Sequence, residues 1–191
     1  MNSLKKWCWI VCLAFWLKDP LLGLAQEGIF LKQDEAPKAV FPKASSFERR
    51  VISSNQELKK QISERMGKVK TSLWENSYVT FVAKKGSAIL GYAVIVEEIG
   101  KHRPITFVVG IGTDHAIIDA ALMVYREPYG GEVRDRRFLQ QYRGKDLKAP
   151  LLPYRDIQNI SGATLSVEAI GRGSKKALAL VDIVYLGGGG Q

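Results

Sequence analysis

The chain has 191 residues, 46% of them apolar, and a formal net charge of +9. That apolar content builds a real core and excludes a disordered polybasic chain, while the length limits the chain to one domain with short extensions. A basic balance suits nucleic acid, an anionic membrane surface or an acidic protein, and composition alone does not choose among them.

The N-terminus narrows the choice. Lys5 and Lys6 precede an apolar run from Trp7 to Leu17, which Lys18, Asp19 and Pro20 close. Gly23 and Ala25 follow at the small-residue spacing of a cleavage site. Basic segment, short apolar run and small residues are the layout of a secretory signal. The run is shorter than the roughly 20 residues a membrane span needs. Residues 1–25 are therefore read as a signal peptide, with an uncleaved membrane anchor as the alternative. Cleavage after Ala25 would remove Cys8 and Cys12, the two cysteines of the chain, and with them any disulfide or thiolate metal site. The expected location is outside the cytoplasm, periplasmic or at the outer face of the cytoplasmic membrane. That location argues against nucleic acid as the partner of the positive charge.

Residues 26–44 are polar, hold two prolines and show no clear period, so they read as an extended leader on the domain surface. Phe47, Val51, Leu58, Ile62 and Met66 then recur at helical spacing. With Ser45 or Ser46 as cap and Gly67 as stop, one helix is expected over 45–67. β-rich runs with glycine punctuation follow at 77–86 and 87–100. The runs 105–112 and 116–127 flank Thr113, Asp114 and His115, a tight turn that makes them an antiparallel hairpin. A break at 127–133 leads to a short basic helix at 134–144, with Phe138, Leu139 and Tyr142 on its buried side. A loop with Pro150 and Pro153 precedes a long helix from about Gly162 to Leu186, and 187–191 is a flexible tail. The order predicts an α+β fold: an antiparallel sheet packed by an N-terminal helix and a long C-terminal helix.

The chemistry concentrates at Ser161-Gly162-Ala163-Thr164. Ala163, Val167, Ile170, Ala177, Leu178, Val181, Val184 and Tyr185 mark one face of the last helix, which places Ser161 near its cap and Thr164 in its first turn. A helix N-terminus carries unpaired N–H groups and a partial positive charge, a seat for phosphate. Ser before a helix is also the commonest of caps, so pattern alone leaves both readings open. Other chemistry lacks support. There is no Cys-x-x-Cys-His for c-type haem. His102 and His115 stand in loop or turn positions without partners at metal spacing, and no Ser-His-Asp or paired-carboxylate arrangement suggests itself. Gly110 and Gly112 give a fragment of a dinucleotide pattern, but within a hairpin rather than a strand–helix turn.

The segment "NISGATLSVEAI" resembles the signature of the FMN-binding domain family. That family includes the flavin-bearing subunits of the Rnf complex and of the sodium-translocating NADH:quinone reductase, and flavinylated domains of extracytoplasmic reductases. The resemblance covers 87–185 and makes 45–186 the FMN-binding domain. It includes an acidic, glycine-bearing turn, here Glu127-Pro128-Tyr129-Gly130 in place of the family's Glu-Thr-Pro-Gly. Gln158 stands where the family often has Asp, and the nearest acid is Asp156.

The resemblance implies that Thr164 carries FMN through a phosphoester bond formed by a flavin transferase. Ser161, Gly162 and Ala163 complete the motif. Glu127, Tyr129, Gly130 and Gly131 form the turn expected to approach the flavin ring. Tyr125 or Tyr129 is expected to stack on it, Tyr125 otherwise being a core strand residue. Arg126, Arg134, Arg136 and Arg137 are expected either to stabilise a reduced, anionic flavin or to be ordinary surface charges. The implied function is an extracytoplasmic FMN-binding electron-transfer protein with membrane or soluble redox partner proteins. The alternative is the flavin-carrying subunit of a reductase acting on a small organic acceptor.

Overall fold

The computed structural model describes residues 28–187. The signal or anchor segment, both cysteines and the end of the tail at 188–191 lie outside the described residues. Six antiparallel strands form one sheet: β1 (Gly28–Ile29), β2 (Ser46–Ser53), β3 (Ser77–Lys85), β4 (Ala88–Ile99), β5 (Pro104–Gly112) and β6 (Ile117–Tyr125), in the order β1-β6-β5-β4-β3-β2. Four helices accompany it: α1 (Ala36–Val40), α2 (Gln56–Met66), α3 (Arg136–Leu139) and α4 (Thr164–Val184). The class is α+β, as the order of elements predicts. Among the described residues no helix is long and apolar enough to cross a membrane.

Both faces of the sheet are covered, which is why β4 and β5 read as nearly continuous apolar runs. Side chains alternate between faces along each strand. Val94, Val96, Phe107, Val109 and Ile111 join the core beneath α4. Phe81, Ala83, Ala93 and Val108 face the other way and pack with Ala36, Val40 and Phe41. The register pairs Val94 with Val109 and Val96 with Phe107, which keeps the two sets apart. The turn at 113–116 joins β5 to β6 as an antiparallel pair, as expected.

Two N-terminal expectations change. Residues 28–44 do more than lie on the surface. β1 pairs with Val124 and Tyr125 at the far edge of the sheet, and Ala36 and Val40 are fully buried. The helix expected over 45–67 forms only in its second half. Residues 46–53 are instead an edge strand, paired residue for residue with β3. The shared spacing of Phe47 and Val51 is the reason for the error: four residues apart is one helical turn, but also two strand repeats. The side chain of Asn55 accepts from the Leu58 N–H at 2.8 Å and starts α2 there, and Gly67 ends it as expected. Leu58, Ile62 and Met66 turn into the core, with α2 lying against α4.

The short basic helix expected at 134–144 is broken into a 3₁₀ turn (Gly131–Arg134), α3 and a second 3₁₀ turn (Gln140–Tyr142). Phe138, Leu139 and Tyr142 are buried, as their spacing implies.

α4 lies across β4 and β5 and is buried on nearly every side, including a lysine. Lys176 has no exposed surface. Its ammonium meets Glu75 at 2.5 Å and Glu98 at 2.9 Å and donates to the carbonyls of Glu97 at 2.8 Å and Ser72 at 3.1 Å. Arg172, one turn earlier, donates to the Ile99 carbonyl at 2.9 Å. A buried ion pair tolerates removal of neither partner alone, because the other charge is left without compensation. Lys176→Met is therefore expected to destabilise the domain by about 3–5 kcal/mol, read from urea unfolding midpoints.

Candidate functional site

Three chain segments converge on one cleft of about 320 Å³. Lys101 and His102, from the turn between β4 and β5, form one wall. Glu127, Pro128 and Tyr129 form the second, and residues 162–166 at the start of α4 form the third. The volume falls in the range of small-molecule sites, roughly 300–1,000 Å³. A wider groove of about 740 Å³ lies between Phe30, Leu122 and Arg134, but it holds none of the motif 161–164.

Each wall has a local cause. The 100–103 turn closes through Gly100 N–H to the Arg103 carbonyl at 3.0 Å. One carboxylate oxygen of Glu127 then accepts from the backbone N–H groups of His102 at 2.6 Å and Arg103 at 3.0 Å. A Cβ on Gly100 would stand 2.8 Å from that same oxygen, so a larger residue there would push the carboxylate aside. Burial pushes the Glu127 carboxyl up, but the N–H groups of Arg103, His102 and Lys101 outweigh it and hold the group below its ordinary value. Glu127 thus acts as a clamp that fixes the first wall.

The second wall is tied to the third. Tyr125 ends β6, 5% exposed, and its hydroxyl donates to the Tyr129 carbonyl at 2.6 Å. That uses its one proton, so the Ser166 hydroxyl 3.0 Å away is the donor in their mutual bond. Burial raises the Tyr125 pKa, which keeps the donor protonated. Gly130 has φ +81°, and a Cβ there would meet the Ala163 Cβ at 2.8 Å and the Tyr125 hydroxyl at 2.9 Å.

The third wall carries the motif. Ala163 occupies the cap position of α4, and no side chain caps the helix. The expected cap, Ser161, is exposed and does not serve. Thr164 is the first helical residue, and its Oγ1 accepts from the Asn159 amide at 2.9 Å. Gly162 has φ +79° and open space where a Cβ would stand. The first-turn N–H groups, which an α-helix cannot satisfy internally, therefore face an open and partly positive cleft.

Of the predicted site residues, the cleft gathers Thr164, Gly162, Ala163, Glu127 and Tyr129. Gly130 lies behind it against Ala163, and Gly131 lines the wider groove. Tyr125 is a core residue that braces the cleft, while Tyr129 is 82% exposed. None of the four predicted arginines is among its lining residues. Arg126 donates to Thr106 and the Pro104 carbonyl, Arg134 lies over Phe30, Arg136 pairs with Asp119, and Arg137 lines a neighbouring cleft. The cation there is Lys101, with His102 beside it. The sequence reading placed His102 in a loop or turn with no role and did not single out Lys101, although both follow directly on the strand–glycine run 87–100. Asn159 was passed over too, although it lies within the quoted signature.

Residues 100–179 match the family described as the FMN-binding domain. This chain carries an FMN-binding domain. The matched span begins at Gly100 and contains all three walls of the cleft. FMN is its cofactor. The fold is also that of Shewanella oneidensis NqrC, whose crystal structure superposes with a TM-score of 0.51 at 15% sequence identity, over 74% of this chain and 81% of that one. No curated protein matches the sequence.

The clamp has a pH signature. A carboxyl whose pKa is depressed on folding stabilises the fold above its unfolded value, and the benefit is lost as pH falls through the folded value. Glu127→Gln is expected to lower stability by about 1 kcal/mol at neutral pH. The difference from wild type should close as pH falls below the ordinary Glu range of about 4.3, measured by thermal unfolding at a series of pH values.

Proposed function

We propose that this protein is an extracytoplasmic electron-transfer flavoprotein that holds FMN in the cleft through a phosphoester bond to Thr164. The observation that carries the reading is the position of Thr164. It stands at the uncapped start of α4 and lines a cleft that both neighbouring turns also line. The residues present fit the group. A phosphodiester is anionic, and the helix N-terminus and Lys101 supply positive charge. Gly162 and Ala163 keep the approach to Thr164 free of bulk.

Flavin supplies one- and two-electron chemistry when bound, and the protein supplies place and electrostatics. In this chain Lys101 balances negative charge, Tyr129 offers an exposed aromatic face, and Glu127 keeps the 100–103 turn at its station. Outside the cytoplasm a covalent bond keeps the cofactor from being lost. A flavin transferase forms that bond, and membrane or soluble redox proteins donate and accept the electrons. The N-terminal pattern of basic segment, apolar run and small residues supports export.

The full chain, co-produced with a flavin transferase in an exporting host, is expected to gain the mass of one FMN less one water. Thr164→Val is expected to show no gain. An intact mass without the addition in wild type would refute the covalent attachment.

A further inference from the structure

Among the described residues, Asn159 is the side chain hydrogen-bonded to the Thr164 hydroxyl, and nothing in the motif accounts for it. Its amide nitrogen lies 2.9 Å from Thr164 Oγ1 and 2.6 Å from the Tyr154 hydroxyl. Its amide oxygen is buried without a partner. The reverse amide orientation would bury two N–H donors instead of one carbonyl oxygen. Stranded donors are the rarer case in folded proteins, so the nitrogen belongs where it is, donating to both hydroxyls.

The surrounding loop is built to hold that amide still. Asp156 accepts from the N–H groups of Leu151 at 3.2 Å and Leu152 at 3.0 Å and pairs with Lys145 at 3.1 Å. Tyr154 has φ +63°, a backbone conformation that a bulky residue rarely adopts. The residue is 77% exposed, so core packing does not explain the strain. Its side-chain hydroxyl accepts from Asn159. Gln158, the residue before Asn159, is fixed by its N–H donating to the Gln141 side-chain oxygen at 2.7 Å.

We infer that Asn159, steadied by Tyr154, is a positioning residue that presents Thr164 Oγ for esterification and holds the ester oxygen afterwards. The inference rests on the reading of Thr164 as the FMN attachment point. Joining FMN to a hydroxyl requires an activated FMN, a phosphoanhydride such as a flavin dinucleotide. The Thr164 Oγ–phosphorus bond forms and the phosphoanhydride bond breaks. The nucleoside monophosphate leaves, and the hydroxyl proton passes to a base of the transferase. No electrons change hands. A donor on Thr164 Oγ suits both ends of this step. It occupies a lone pair and leaves the hydroxyl proton free to depart. It also survives in the product, because an ester oxygen has no proton and can only accept. A side chain that accepted from Thr164 would lose its partner in the product, because the ester oxygen has no proton to donate.

The test follows the rate of FMN attachment to the full chain by intact mass, with purified flavin transferase and flavin adenine dinucleotide. Asn159→Asp replaces the donor by an acceptor of the same shape. It is expected to slow attachment at least about tenfold at neutral pH. Its rate relative to wild type, compared at each pH, should rise as pH falls from 7 toward the ordinary Asp value of about 3.9, because a protonated carboxyl donates again. Asn159→Ala should be slow with no such recovery, and Tyr154→Phe should be slowed by less than either. Thermal unfolding of each variant separates misfolding from misplacement, since a fold defect would not recover with acid. A wild-type rate in Asn159→Asp at neutral pH, or a slow rate whose ratio to wild type ignores pH, overturns the positioning role alone. A wild-type chain that takes up no FMN overturns the reading of Thr164 on which it rests.

Discussion

The depth at which α4 sits on the sheet governs the rest of the structure. The helix is held there by an ammonium rather than by apolar contact alone: Lys176, fully buried, joins Glu75 and Glu98 and the backbone at the end of β4. Two glycines let the helix come this close. A Cβ on Gly173 would stand 2.5 Å from the ring of Phe107, and one on Gly171 would stand 2.0 Å from the Leu151 carbonyl. The first contact sets the helix against the sheet, and the second sets the 150–160 loop against the helix. Both ends of the cleft inherit that register. Glu98 and Ile99 lead straight into the turn bearing Lys101, and α4 begins at Thr164. A shift of the helix by one turn would move the hydroxyl by about 5.4 Å from the turn it faces.

Charge is distributed by the same logic. The chain is strongly basic, yet several guanidinium groups hold the scaffold together. Arg136 and Arg143 converge on Asp119, which is nearly buried, and Arg172 pairs with Glu98. Arg65 and His115 meet at Asp182 on the last turn of α4. The cleft receives a lysine, a histidine and an open helix end. An ammonium is a compact, mobile point charge, whereas a guanidinium fork is suited to fixed carboxylates.

Much of this was legible from residue order. Glycine and turn residues marked the strands β3 to β6, and the apolar period of α4 gave both its length and the place of Thr164. The motif 161–164 pointed to the site through its resemblance to the FMN-binding domain signature, because the pattern alone fits an ordinary helix cap as well. Three features were not legible. Residues 46–53 carry a spacing that fits helix and strand equally, and only pairing with β3 decides between them. Lys176 reads as a surface residue, because burial of a lysine depends on partners about 80 and 100 residues away. The arginines near 126–137 looked suited to a flavin because they are near in sequence, but their partners Asp119, Thr106 and Phe30 are set by the sheet. Lys101 reached the site by the same route, from a hairpin turn that sequence alone does not place beside α4.

The central claim is that FMN occupies the cleft between the 100–103 turn, the 127–130 turn and the start of α4. Backbone amide NMR spectra of the FMN-free and FMN-loaded full chain test it most directly. The account requires the largest shift changes at 101–103, 127–130 and 162–166. Changes centred on Phe30, Leu122 and Arg134, with those three segments unmoved, would place the cofactor in the wider groove and contradict it.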